Sequence, residues 1–329
     1  MLQELFEYPF LIRILNKIFT DNDKIKIIEL NKILNDKRTK FTYDKQITLK
    51  DNDQYKWYYD CLKNVYISED LPRFPLPKST KRLIFDIYYN QNVENYIPNS
   101  VKCINFGWNF NQSLENCIPK SVKYLRLGPG FHQSLEHCIP HIKHLYLNSK
   151  NKLSNSLTHL TFGDYYDELF NQEIPLSVTH LTFGYHFNHY VNDIPNSVTH
   201  LTFGWKFDQP INNIPNSVIY LEFGFAFNQD VNNIPNSIKY LKFGYRFNKE
   251  IENRIPLSVT HLEFGTAFDK NIGNLKNVTH LTFNSHNLTK FLKFPSCLKH
   301  LRASEKFVEI NKENINNNVK ISFNDYEFK

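Results

Sequence analysis

The 329-residue sequence predicts an α+β protein in which a short helical N-terminal segment precedes a solenoid with one parallel sheet of about 14 short strands. Three observations lead to this prediction. A motif of about 20 residues recurs along most of the chain, Ile-Pro closes most of its copies, and the first 60 residues lack it. We assign residues 1–40 to the helical segment, 41–60 to a connecting segment and 61–329 to the solenoid, whose coils from about residue 302 are degenerate caps.

Composition limits the class of protein before any motif is considered. Hydrophobic residues make up 41% of the chain and charged residues 22%, which excludes a disordered chain. The formal charge of +6 suits an acidic partner without requiring nucleic acid. Five cysteines, an odd number, favour a reducing compartment. Because no apolar run reaches the roughly 18–20 residues that span a bilayer, we expect a cytoplasmic or nuclear protein with no membrane partner.

The N-terminal segment shows helical spacing of its apolar residues. Ile12, Leu15 and Ile18 fall on one stripe of a first helix. Asp21 or Asp23 can cap a second helix. These spacings predict two or three short amphipathic helices that end near residue 40.

One apolar marker residue in each copy of the motif sets the period. Successive markers lie about 20 residues apart, and they are Val65, Leu83, Ile104, Leu125, Leu145, Leu160, Leu181, Leu201, Leu221, Leu241, Leu262, Leu281, Leu301 and Ile321. Spacing this regular predicts a stack of similar structural units, which we call coils.

Each position within a coil has a physical interpretation. Leu181 and Phe183 alternate with polar residues, as in a half-buried strand. Gly184 follows and indicates a turn with positive φ, and the aromatic Phe187 can fill the interior. Pro195 on the return leg excludes a helix there. A strand, a turn and an extended return make one coil of a solenoid, and the Leu-x-Phe pattern favours a leucine-rich-repeat-like horseshoe over a parallel β-helix.

The string Phe-Asn-x-x-Ile-x-x-Ile-Pro-x-Ser-Val-x-x-Leu-x-Phe-Gly resembles the FNIP repeat, a short relative of the leucine-rich repeat, over about residues 61–329. FNIP proteins are familiar in social amoebae and in giant DNA viruses that infect amoebae. The resemblance implies a protein-interaction scaffold without enzyme activity, in the host cytoplasm if the chain is viral.

The N-terminal segment resembles an F-box, the motif that docks substrate adaptors on a Skp-type linker of a cullin ubiquitin ligase. The elements that match are a proline ahead of an Ile/Leu-rich helix, the Asp21–Ile25 entry and the Asn31-Lys32 pair. The sequence departs from the usual Leu-Pro-x-Glu start. The resemblance implies that Pro9, Ile12, Leu15 and Ile18 dock the ligase. The alternative is a helical cap that only shields the first coil.

Two columns of side chains are the candidate partner-binding residues on the predicted concave face. The first is a column of rings, one per coil, formed by His144, His159, His180, His200, Tyr220, Tyr240, His261 and His280, with His300 beyond them. The second is a basic strip in the early coils, formed by Lys81, Arg82, Lys102, Lys123, Arg126 and Lys143. Zinc requires a tetrahedral cluster and not a linear column, so we expect no metal. The strip suits an acidic protein better than nucleic acid, and the alternative is a merely solvated face.

No chemical motif points to an enzyme. The sequence contains no phosphate-binding glycine loop, nucleophile elbow or CxxC pair. We therefore expect no cofactor and no small-molecule substrate. The function predicted from the sequence is that of a ligase adaptor whose solenoid holds a target protein, and the alternative is a plain repeat interaction protein.

Overall fold

The computed structural model describes residues 43–49, 62–68, 75–169, 173–272, 275–284 and 292–324. Within these residues it contains strands at Tyr43–Leu49 (β1), Leu62–Ile67 (β2), Arg82–Phe85 (β3), Cys103–Asn105 (β4), Tyr124–Arg126 (β5), His144–Leu147 (β6), His159–Phe162 (β7), His180–Phe183 (β8), His200–Thr202 (β9), Tyr220–Glu222 (β10), Tyr240–Lys242 (β11), His261–Phe264 (β12), His280–Phe283 (β13), His300–Ala303 (β14) and Lys320–Phe323 (β15). Residues 1–40, where helices were predicted, lie outside the described residues.

The chain divides into two compact units, residues 1–146 and residues 147–329. In the first unit β1 to β6 pair in chain order, and every pair is parallel. In the second unit β7 to β15 pair in the same way. The marker residues lie opposite one another within each unit, as Leu181 and Leu201 do. Strand β1 lies in the stretch that the sequence suggested was a connecting segment.

The predicted α+β class is wrong. The described residues form a parallel β-solenoid, and their helices are a six-residue α-helix, Glu305–Ile310 (α1), and a three-residue 3-10 helix, Lys312–Asn314. In a coil of about 20 residues, the Ile-Pro pair keeps the return leg extended, because proline fixes φ and lacks an N–H donor, and no room is left for a helix. Neither of these helices is long or apolar enough to cross a membrane.

The strands form because their apolar residues alternate with polar ones. In β8 the pattern from His180 to Phe183 runs half-buried, buried, half-buried, buried, and Leu181 is 1% exposed. Coils with this pattern turn a leucine and a phenylalanine inward, while the residues between them face away from the core.

Phenylalanines fill the interior as two stacks that run through neighbouring coils. The strand stack of Phe183, Phe203, Phe223 and Phe243 has ring centroids 5.5, 5.6 and 5.8 Å apart. The turn stack of Phe187, Phe207, Phe227 and Phe247 has centroids 6.2, 6.1 and 6.1 Å apart. Each stacked aromatic pair stabilises the fold by about 1 kcal/mol beyond the contribution of the area it buries. The two stacks therefore stabilise the packing of each of these coils on the next.

The glycine that follows eight of the strands is required for a reason other than the predicted one, as Gly204 shows. The φ of Gly204 lies outside the left-handed region. A Cβ atom on Gly204 would instead lie 1.9 Å from the carbonyl oxygen of Gly184 in the preceding coil. Close approach between coils therefore selects glycine here. The non-glycine residues with positive φ among the described residues lie on the return legs, and they are Asn95, Asn116, His137 and Asn253.

Polar residues after the second aromatic join neighbouring coils. The side-chain oxygen of Asn188 accepts a hydrogen bond from the backbone N–H of Asp208, at 2.9 Å. Asp208 in turn accepts one from the N–H of Asn228, at 2.8 Å. This ladder satisfies backbone donors that the turn would otherwise leave unpaired.

Candidate interaction surface

The side chains that face away from the core on the strands form the candidate site, and we call this surface the strand face. In the second unit it has three columns. They are the ring column, the residues just before it, and the residues two places after it. At β8 these are His180, Thr179 just before the strand, and Thr182. Parallel pairing in register places equivalent residues of adjacent coils side by side, as it does for His180 and His200.

The ring column of the second unit is a continuous stack of eight side chains. The distances between ring centroids are 4.1 Å for His159–His180, 4.1 Å for His180–His200, 5.6 Å for His200–Tyr220, 6.3 Å for Tyr220–Tyr240, 4.3 Å for Tyr240–His261, 4.1 Å for His261–His280 and 4.4 Å for His280–His300. The structure thus brings the predicted rings from His159 onward together on one face. Tyr124 and His144 form a similar pair in the first unit, at 4.1 Å.

Threonines hold the imidazoles in place. The hydroxyl oxygen of Thr199 lies 2.9 Å from Nδ1 of His200 and donates its proton to the carbonyl of Thr179, at 3.2 Å. The same contact with Nδ1 occurs in the coils of His159, His180, His261 and His280. A side chain fixed in this way loses little rotamer freedom when it binds a partner.

Three histidines of the stack, His180, His261 and His280, are biased towards the neutral form because their pKa values are lowered. Burial and the neighbouring imidazoles of His159 and His200 lower the pKa of His180. Burial, with the charges of His261, His300 and Lys299, also lowers the pKa of His280. These three rings are therefore uncharged at neutral pH.

A cluster of charged residues lies on the strand face at β10 to β12. The ammonium of Lys242 lies 2.8 Å from a carboxylate oxygen of Glu222, and the hydroxyl of Tyr220 donates to the other oxygen at 2.7 Å. Burial, together with Glu222 and Glu263, raises the pKa of Tyr220. Glu263 accepts a hydrogen bond from the side-chain amide of Asn284, at 2.9 Å. A cavity of about 200 Å³ opens beside this cluster.

The basic strip of the first unit also follows the coils. Lys81, Lys102, Lys123 and Lys143 occupy equivalent positions, since the backbone N–H of each later lysine donates to the carbonyl of the one before it. Lys123 is half-buried, and its ammonium donates to the carbonyl of Lys120 at 3.2 Å. The other basic side chains of the strip are exposed, and they are Lys81, Arg82, Lys102, Arg126 and Lys143.

Arginine 126 is held against an aromatic ring. Its guanidinium lies 4.0 Å from the ring centroid of Tyr146, which is close enough for a cation–π interaction.

Four docking residues that were predicted from the sequence lie outside the described residues, namely Pro9, Ile12, Leu15 and Ile18. Among the residues that are described, no group of three or more His, Cys, Asp or Glu side chains could hold a metal ion.

Two features of the surface were not predicted from the sequence. One is the cluster of Glu222, Lys242 and Glu263. The other is an exposed aromatic row directly after the glycines, in which Trp205 stacks on Phe225 at 4.1 Å and Phe225 on Tyr245 at 4.6 Å. An aromatic residue after Gly184, Gly204, Gly224 and Gly244 was the signal that could have revealed the row.

The comparison with one solved structure agrees with this architecture. The giant-virus protein CroV588, described as a circular leucine-rich-repeat protein, is 32% identical with a TM-score of 0.53, over 80% of this chain and 50% of its own. The chain thus spans half the length of CroV588. A leucine-rich repeat protein from Bacteroides ovatus is 12% identical with a TM-score of 0.20, over 86% of this chain and 84% of its own.

A search of curated protein sequences finds no match. The model of the FNIP Repeat family matches residues 73–109, 89–129, 110–150, 149–186, 187–226 and 227–267, which together make up more than half of the chain. The register of the strands and the two phenylalanine stacks follow the same period. The chain belongs to the FNIP repeat family.

Proposed function

We propose that the chain is a non-enzymatic scaffold that binds another protein along the strand face. The observation that carries this proposal is the stack of eight rings from His159 to His300, aligned by the parallel register of the sheet. A solenoid needs stacked coils for stability, but its core requires only the inward-facing residues. The aromatic column that faces outward is therefore available for recognition.

The chemistry of the strand face suits a protein partner. Aromatic side chains dominate the binding energy of protein interfaces because they bury a large area at little cost in rotamer entropy. The threonine hydroxyl beside each of five imidazoles fixes that ring before a partner arrives. The exposed lysines and arginines of the first unit suit an acidic segment of the partner.

Affinity purification with matched variants tests this proposal. Thr182→Arg and Thr202→Arg place long side chains on the strand face, where both threonines are half-buried. Asn196→Arg and Asn216→Arg add the same charge to exposed positions on the return legs. With nuclease-treated lysates and quantitative mass spectrometry, we expect the strand-face variants to lose bound proteins that the return-leg variants retain. Equal retention by all four variants would contradict the proposal.

A narrower proposal is that the scaffold serves a cullin-type ubiquitin ligase as a substrate adaptor. It depends on the resemblance of residues 1–40 to an F-box. The matches to the FNIP Repeat family begin at residue 73, so they do not include this segment. If Ile12, Leu15 and Ile18 dock a Skp-type linker, Ile12→Glu with Leu15→Glu will remove that linker from the purified complex and leave target binding intact. Absence of the linker from the complex of the unchanged chain would reject the adaptor role and leave the scaffold proposal standing.

A further inference from the structure

The ring column opens where Tyr220 and Tyr240 follow each other. Their ring centroids are 6.3 Å apart and the planes are tilted by 34°, whereas the histidine pairs on either side are 4.1 to 4.4 Å apart. In β10 the hydroxyl of Tyr220 donates to the carboxylate of Glu222, two residues later. This hydrogen bond holds the Tyr220 ring beside the carboxylate.

The cavity of about 200 Å³ lies at this opening. Its lining includes both tyrosines, Lys242, Glu263, His261 and His280. Tyr240 is 44% exposed, so solvent reaches its ring. The cavity therefore offers aromatic surface and a carboxylate within one small volume.

The charge of the cavity differs from that of the rest of the strand face. Glu222 and Glu263 are the only acidic residues in the three columns of the described strands of the second unit. Glu222 is paired with Lys242. Glu263 forms no ion pair with any described residue and receives one hydrogen bond, from Asn284. Glu222 does not line the cavity, but its ion pair offsets the charge of the lining residue Lys242. With His261 and His280 neutral, the three groups Glu222, Lys242 and Glu263 together carry one net negative charge.

We propose that this cavity binds an arginine side chain of the protein partner, an inference that rests on the proposed scaffold function. A guanidinium is planar, stacks on aromatic faces and binds a carboxylate through two parallel N–H donors. The tilted pair of Tyr220 and Tyr240 supplies the faces, and Glu263 supplies the acceptor. A lysine ammonium would gain the charge contact without the stacking, and an acidic side chain would be repelled.

A small probe tests the cavity without knowledge of the partner. The probe is N-acetyl-arginine amide, titrated into the full chain with ¹³C-labelled tyrosine rings and followed by NMR. We expect saturable shifts of the Tyr220 and Tyr240 signals, and weaker binding by N-acetyl-lysine amide. No saturable shift of these two rings, or equal binding of both probes, would overturn the proposal.

Two variants with matched controls assign the binding to the cavity. Glu263→Gln keeps the size and the Asn284 hydrogen bond but removes the charge, and we expect about tenfold weaker binding of the arginine probe. Glu250→Gln, at an exposed position on the return leg, will leave binding unchanged. Tyr240→Leu will weaken binding, whereas Tyr185→Leu in the exposed aromatic row will not. Unchanged affinity in Glu263→Gln would overturn the assignment.

The outcomes separate this inference from the proposed function. If the probe fails to bind but Thr182→Arg still removes partner proteins, the scaffold function stands and the arginine site is wrong. If the probe binds but no strand-face variant loses a partner, the cavity exists and the scaffold function is wrong.

Discussion

The hydroxyl oxygen of Thr179 lies 2.9 Å from Nδ1 of His180, the residue that follows it, and 3.2 Å from the carbonyl oxygen of Thr158 in the preceding coil. A hydroxyl has one proton, and the carbonyl can only accept. The proton of Thr179 therefore goes to the carbonyl, and Nδ1 of His180 donates to the hydroxyl oxygen. We infer that the imidazole is the Nδ1–H tautomer and presents the lone pair of Nε2 outward.

Thr179→Val tests this contact. Valine keeps the shape of threonine and removes both hydrogen bonds, so we expect a loss of about 1 kcal/mol in the free energy of unfolding by urea. The ¹⁵N shifts of the His180 ring will also move away from the Nδ1–H pattern. Thr182→Val is the control, because the Thr182 hydroxyl has no hydrogen-bond partner among the described residues. Unaltered stability and ring shifts in Thr179→Val would show that the contact is unimportant.

Acid should destabilise the second unit. The pKa values of His180, His261 and His280 are lowered from 6.5, mainly by burial. The unfolded chain therefore binds protons before the folded chain does, and stability, full above pH 6.5, falls as the pH drops towards the folded values. Urea denaturation between pH 8 and pH 5.5 will show this slope. His180→Tyr introduces the residue type found at Tyr220 and Tyr240 in the same column. In this variant we expect a shallower dependence of the unfolding free energy on pH. A steeper or identical dependence would contradict this explanation.

Removal of a buried hydroxyl should stabilise the fold. Tyr166 is fully buried and continues the turn stack, with its ring centroid 6.0 Å from that of Phe187. Its hydroxyl has no hydrogen-bond partner among the described residues. Tyr166→Phe should therefore raise the free energy of unfolding by about 1 kcal/mol, as measured in urea. Tyr185→Phe removes an exposed hydroxyl and should have no effect, and a destabilised Tyr166→Phe would reveal a partner for the buried group.

The contact between coils at the glycines predicts a large effect of one methyl group. A Cβ atom at Gly204 would overlap the carbonyl oxygen of Gly184 at 1.9 Å. Coils must separate to relieve the overlap, so we expect Gly204→Ala to cost about 2–3 kcal/mol of unfolding free energy. Asn216→Ala, at an exposed position on a return leg, controls for the substitution. A cost no larger than in this control would mean that the coils are packed less closely than described.

The parts of the fold that could be predicted are those set by neighbours along the chain. Leu181 and Phe183 are two residues apart, so their alternation identifies a strand directly from the sequence. The recurrence of glycine at the position of Gly204 could be read from the sequence, but the reason for it could not. The period gives the spacing along the chain and not the distance between the backbones of adjacent coils. The α+β class was wrong because it was assigned from the helices predicted in residues 1–40, although the repeat makes up most of the chain.

The candidate site could be predicted only where it repeats. His180 and His200 recur at the same position in successive coils, and the sequence therefore shows the ring column. Glu222 and Glu263 lie 41 residues apart and replace a threonine in only two coils. Their shared location follows from the stacking of β10, β11 and β12. The partner-binding roles of the ring column and the basic strip stay predictions.

Site-specific photo-crosslinking tests the role of the strand face most directly. Benzoylphenylalanine replaces Thr182 or Thr282 on the strand face, and Asn196 or Asn236 on the return legs, in the full chain exposed to lysate. The account predicts covalent adducts of the same partner protein from both strand-face positions, which N-acetyl-arginine amide reduces at Thr282 beside the cavity, and none above background from the two asparagine positions. Adducts of equal yield from all four positions, or from the return legs alone, would contradict it.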